Sequence, residues 1–131
     1  MLPGAREILE WSNKKGYPTV LVTSSSRNYA DQITTQFGIR HLFKAFVTAE
    51  DVQNGKPDPE PYKTGARLSG CAPSTCFAFE DSINGVISAK SAGTSVFAVP
   101  SMGIDHSLIQ EADHIVGSLL EAKHILENMG L

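Results

Sequence analysis

The sequence predicts a doubly wound α/β domain, a parallel sheet with helices on both faces. Two observations predict it. Short, continuous apolar runs recur along the 131 residues, and each is followed by an amphipathic stretch. A strand that is apolar on both faces is buried on both, and a helix between successive strands is the crossover that parallel pairing requires.

The elements follow in order. Residues 5–14 place Ile8, Leu9 and Trp11 among charged neighbours with Gly16 as a stop, which predicts a helix. Thr19–Thr23 is a short buried strand. Residues 27–37 form a helix closed by Gly38. Ala45–Thr48 is the next strand, and the helix over 60–69 has prolines at its start, where a missing N–H costs little. Strands at Cys76–Phe79, Ser95–Val99 and His114–Val116 follow, with helices at about 83–91, 105–111 and 118–128. Repeats, low-complexity tracts and linkers are absent, so residues 1–131 are expected to form a single domain.

Composition narrows the function. An apolar fraction of 41% and a charged fraction of 19% suit a globular chain. A net charge of -3 gives no electrostatic reason to expect nucleic acid or a membrane surface as partner. No apolar run approaches the about 20 residues that span a bilayer. Met1–Glu7 lacks the basic-then-apolar layout of a secretory signal, so a cytoplasmic location is expected. Cys71 and Cys76 have no second Cys/His pair at ligand spacing and are expected to be reduced thiols, Cys76 as a buried strand residue. His106 is expected at the surface and His114 partly buried.

In sheets of this kind ligands bind beyond the carboxyl ends of the strands, so the residues after each strand carry the information. Thr23-Ser24-Ser25-Ser26-Arg27-Asn28 places hydroxyls and free N–H groups at a helix start, suited either to a phosphate oxygen or to an ordinary N-cap. Gly55-Lys56-Pro57-Asp58-Pro59-Glu60 flanks Asp58 with prolines. A loop so fixed either aims Lys56 at a phosphoryl group or carries it into solvent. Phe79-Glu80-Asp81-Ser82 ends a buried strand with two adjacent carboxylates, hard ligands suited to Mg²⁺, although Asp81 or Ser82 could equally cap the next helix.

The order of these three signals, with Asn84-Gly85-Val86 and Ala89-Lys90-Ser91-Ala92-Gly93 after them, resembles the later motifs of the haloacid dehalogenase superfamily. The closest resemblance is to its β-phosphoglucomutase-like and sugar-phosphate phosphatase branch, with its Rossmann-like core. The resemblance implies a phosphatase or phosphomutase acting on a small phosphorylated metabolite with Mg²⁺. It implies that Thr23 and Ser24, with Ser25 as the alternative if the loop slides by one residue, bind the phosphoryl group. Arg27 and Asn28 are lesser candidates for that contact. Lys56 becomes the charge-neutralising group that orients the nucleophile, and Glu80 with Asp81 the magnesium-side carboxylates.

The same family begins its chemistry with an Asp-x-Asp motif whose first aspartate forms an aspartyl-phosphate. None of Asp31, Asp51, Asp58, Asp81, Asp105 and Asp113 stands in such a motif after an apolar strand. The family order puts the absent strand between Cys76–Phe79 and Thr19–Thr23, and Leu2-Pro3-Gly4 resembles the return linker from a cap. Three expectations follow: an incomplete core lacking catalytic activity, a weak and largely hydrated Mg²⁺ site, and open sheet edges prone to self-association. A non-catalytic phosphate-binding or interaction module is the alternative. A phosphorelay receiver is excluded because Lys56 precedes the acidic pair, and dinucleotide binding because no Gly-x-Gly-x-x-Gly follows a strand.

Overall fold

A computed structural model describes residues 2–100 and 106–131. Five α-helices alternate with five short strands: α1 (Ala5–Lys14), β1 (Val20–Val22), α2 (Arg27–Gln36), β2 (Ala45–Val47), α3 (Glu60–Ser69), β3 (Phe77–Glu80), α4 (Ile83–Ala92), β4 (Ser95–Ala98), β5 (His114–Ile115) and α5 (Leu119–Asn128). Local chemistry sets the boundaries. The side chains of Ser26, Ser82 and Ser118 accept N-cap hydrogen bonds from Tyr29, Gly85 and Glu121. At the start of α1, Gly4 has φ +86 and lies so close to α5 that an added Cβ would sit 2.4 Å from the Leu120 nitrogen.

The strands do not form one sheet. All pairings are parallel, but β1 pairs only with β2, while β3, β4 and β5 form a second sheet in that order. The interruption falls where the family order left a strand out, between the Thr19–Thr23 and Cys76–Phe79 segments. The break lies between β1 and β3, where no strand among the described residues bridges the two edges. The helix expected over 105–111 is instead a single 3₁₀ turn at His106–Ile109, with residue 105 outside the described residues. Cys76 precedes β3 and is half-buried rather than a buried strand residue; it and the exposed Cys71 are free thiols.

Helix α3 packs on β1, β2 and α4, while α4 covers β3 and β4. Between these layers lies a core of Tyr62, Ala78, Val86, Ala89, Val96 and Ala98. The other face is closed by α1 against α5 over Phe97, Val99 and Leu126. His114 is half-buried and stacks on Phe97 with 4.6 Å between ring centroids.

Candidate functional site

The polar residues collect at the carboxyl ends of β1 and β3, on either side of the break. The loop between β2 and α3 delivers Lys56 there, and its own hydrogen bonds hold it. Glu60 accepts from the Gln53 and Asn54 amides at 2.8 and 3.0 Å, Asp58 Oδ1 accepts from the Glu60 amide at 2.9 Å, and Ser88 Oγ donates to the Asp58 carbonyl at 2.6 Å. The Gln53 amide bond is the main reason the Glu60 carboxyl lies below its ordinary value.

Lys56 is not solvent-exposed: 12% of its side chain is accessible. Its Nζ donates to the Val22 carbonyl at 3.0 Å and to Glu80 Oε1 at 2.5 Å, which spans the gap between the two sheets. Glu80 is 6% exposed and also accepts from the Tyr62 hydroxyl at 2.6 Å. Burial, reinforced by the charges of Glu80 and Asp81, pushes the Tyr62 phenol well above its ordinary pKa, so the hydroxyl keeps its proton and remains a donor. The first turn of α4 lies directly over this carboxylate. A Cβ at Gly85 would meet Glu80 Oε2 at 1.9 Å, so only glycine fits there without displacing Glu80.

Across the gap, the loop after β1 separates capping from the other hydroxyls. Ser26, not Thr23, Ser24 or Ser25, caps α2. Thr23 Oγ1 accepts from the Ser25 amide at 3.1 Å, folding the loop over the strand tip. Ser24 and Asn28 are exposed. Arg27 turns away along β2, donating to the Phe46 carbonyl at 3.2 Å and to Asp51 Oδ2 at 2.7 Å. The structure therefore brings the tip bearing Thr23–Ser25 together with Lys56 and Glu80, and gives Arg27 a separate ion pair.

The adjacent carboxylates diverge. Glu80 turns inward to Lys56 and Tyr62, whereas Asp81 is exposed. No group of three or more metal-ligating side chains occurs among the described residues. Mg²⁺ demands near-octahedral oxygen ligation, and one inner oxygen set is already committed to an ammonium and a phenol. The donor set present does not complete a magnesium site.

Sequence reasoning missed Tyr62 and the steric role of Gly85. Tyr62 was detectable in principle, since a helix starting at Glu60 places it in the first turn beside the lysine loop. The contact with Gly85 depends on the α4 approach angle and left no local signal.

In this α/β fold a lysine thus spans two parallel strand tips beside a hydroxyl-bearing loop. The profile of the family described as haloacid dehalogenase-like hydrolase matches residues 1–99. The chain belongs to this superfamily, in its β-phosphoglucomutase and sugar-phosphatase branch, sharing 32% identity and a TM-score of 0.87 with a β-phosphoglucomutase-type structure from Thermotoga maritima over 96% of this chain and 59% of that one. It is 41% identical to hexitol phosphatase A of Escherichia coli over 118 residues, covering 90% of this chain and 54% of that protein. It is 36% identical to the bifunctional riboflavin kinase/FMN phosphatase of Arabidopsis thaliana over 131 residues, covering 99% of this chain and 34% of that protein. The β-phosphoglucomutase structure from Clostridium difficile shares the fold with a TM-score of 0.86 at 23% identity, over 99% of this chain and 56% of that one. The chain thus spans between a third and just over half of these relatives. Among the described residues no helix is long and apolar enough to cross a membrane.

Proposed function

We propose that this chain is the phosphate-handling part of a phosphatase or phosphomutase for small phosphorylated metabolites, and that by itself it binds phosphate without turnover. The observation carrying this reading is the Lys56 ammonium at the meeting point of both strand tips, next to the Thr23–Ser25 loop. Lys56 would offset phosphoryl charge, and the loop hydroxyls and amides would hold the oxygens. In this reading no described carboxylate acts as the nucleophile, so turnover is not expected. Mg²⁺ belongs to the reading as a weakly held, largely hydrated ion beside Asp81. The sugar-phosphate class of substrate is inferred from relatives such as hexitol phosphatase A.

Titration with inorganic phosphate, followed by amide chemical shifts, tests binding. Shifts are expected at Ser24 and Ser25 and lost in Lys56→Ala; their absence would overturn the assignment. An assay on p-nitrophenyl phosphate with Mg²⁺ tests the second clause. Turnover that depends on Lys56 would show a nucleophile that this reading denies. The alternative, a non-catalytic interaction module, draws support from the open break between β1 and β3.

A further inference from the structure

We propose that Glu50 is a positioning residue for phosphate binding: its carboxylate anchors the end of the Thr23–Arg27 loop and so holds Ser24 as a fixed apex on the strand tip that Lys56 also contacts. The inference deepens the proposed function and rests on its phosphate-binding reading.

The loop is fastened at alternate residues by the segment that ends β2 and follows it. The Thr23 amide donates to the Val47 carbonyl at 2.9 Å, and the Ser25 carbonyl accepts from the Ala49 amide at 2.9 Å. The Arg27 amide donates to both oxygens of Glu50, at 3.0 and 3.2 Å. Within the loop the Ser25 amide turns back to Thr23 Oγ1. Between these anchors the chain bends at Ser24, which is exposed and has no hydrogen-bond partner among the described residues. Its amide and hydroxyl therefore stay available to a ligand. Lys56 reaches the same tip through the Val22 carbonyl, two residues earlier in the chain.

Glu50 stands on a rigid base. It lies in the 3₁₀ turn Ala49–Asp51, whose capping residue Thr48 is fully buried. Asp51 Oδ2 accepts from the Thr48 amide at 2.8 Å and from its hydroxyl at 2.7 Å. The hydroxyl bond is the main reason the Asp51 carboxyl lies below its ordinary value. The same oxygen accepts from the Arg27 guanidinium at 2.7 Å. Two consecutive carboxylates thus grip one residue, Glu50 by its amide and Asp51 by its side chain.

A carboxylate in this place has two opposite effects. Its negative charge lies at the N-terminal end of α2, where it competes with phosphate for the positive end of the helix. If competition ruled, removing Glu50 would tighten binding. If anchoring rules, removing it loosens the loop and weakens binding. The geometry favours anchoring, because the helix end is already closed: Ser26 Oγ accepts from the Tyr29 amide and Glu50 from that of Arg27. Phosphate is then received by the loop apex, and the apex is what Glu50 holds still.

The test titrates inorganic phosphate into the native chain and its variants, reading the Ser24 and Ser25 amide shifts. Glu50→Ala should weaken binding by a factor of about five or more. Glu50→Gln keeps an acceptor for the Arg27 amide without the charge, and should bind at least as tightly as the native chain. Without phosphate, amide exchange at Arg27 should rise about tenfold in Glu50→Ala and stay unchanged in Glu50→Gln. Glu121→Ala is the control, since Glu121 makes the same kind of contact to the Gly117 amide, at 2.7 Å, ahead of α5. It should leave phosphate binding unchanged. Tighter binding by Glu50→Ala would overturn the proposal in favour of charge competition. Unchanged binding or Arg27 exchange in Glu50→Ala, or equal weakening by Glu50→Gln or Glu121→Ala, would overturn it too. A native chain that gives no phosphate shift at all would bring down the phosphate-binding reading itself, and the positioning role with it.

Discussion

Lys56 Nζ lies 3.0 Å from the Val22 carbonyl oxygen while holding Glu80 at 2.5 Å, so a single ammonium links two sheets that share no backbone hydrogen bond. Removing one member of a buried pair leaves the other charge uncompensated, at a cost of about 3–5 kcal/mol. Lys56→Met should lower stability by about that much in urea titration. The double variant with Glu80→Gln should recover most of the loss, because the stranded carboxylate is gone.

Gly85 provides a steric test of the same network. Gly85→Ala forces Glu80 from its position, and an overpacking cost of about 1–3 kcal/mol is expected by chemical denaturation. Gly55→Ala, in the lysine loop, is the control. Its Cβ would meet nothing within 4 Å, so stability should change by less than about 0.5 kcal/mol.

Tyr62 sets an alkaline limit. Its folded pKa is raised above the ordinary 10.0, so between the unfolded and folded values the native state holds a proton that the unfolded state has lost. The associated stability is full below pH 10 and drains away as pH rises toward the folded value. Tyr62→Phe should flatten this limb in thermal melts across pH. At neutral pH it should cost about 1.5–3 kcal/mol, the worth of a hydrogen bond to a buried charged acceptor.

Asp113 sets an acid limit of opposite sign. Lys90 Nζ at 2.8 Å and the Val96 amide at 2.7 Å hold its carboxyl below the ordinary value, Lys90 contributing most. Its contribution is complete above the unfolded pKa and is lost as pH falls through the depressed folded one. Asp113→Asn should make stability less dependent on pH below about 4, measured by urea midpoints in acidic buffers.

Much of this was legible in sequence. The five strands and the helices α1 to α5 lie within a residue or two of the boundaries predicted from apolar runs, helix-start prolines and terminal glycines, because those signals are local. The convergence of Lys56 with the strand tips was legible from motif order. The inward turn of Glu80 was not, since nothing in Phe79-Glu80-Asp81-Ser82 says which carboxylate meets the ammonium. That choice is made by Tyr62 and by Gly85, which come from different helices. The 3₁₀ turn at His106–Ile109 replaced a longer predicted helix because periodicity over so few residues cannot set length.

Helix α3 touches both β1 and β2 and also lies against α4, which covers the other sheet. With α1, which contacts both α5 and the turn at Arg40–Leu42, it fastens two sheets that share no backbone hydrogen bond. Such a protein should come apart in stages. The β1–α2–β2 portion should be shed first under mild denaturant, with the three-stranded remainder outlasting it.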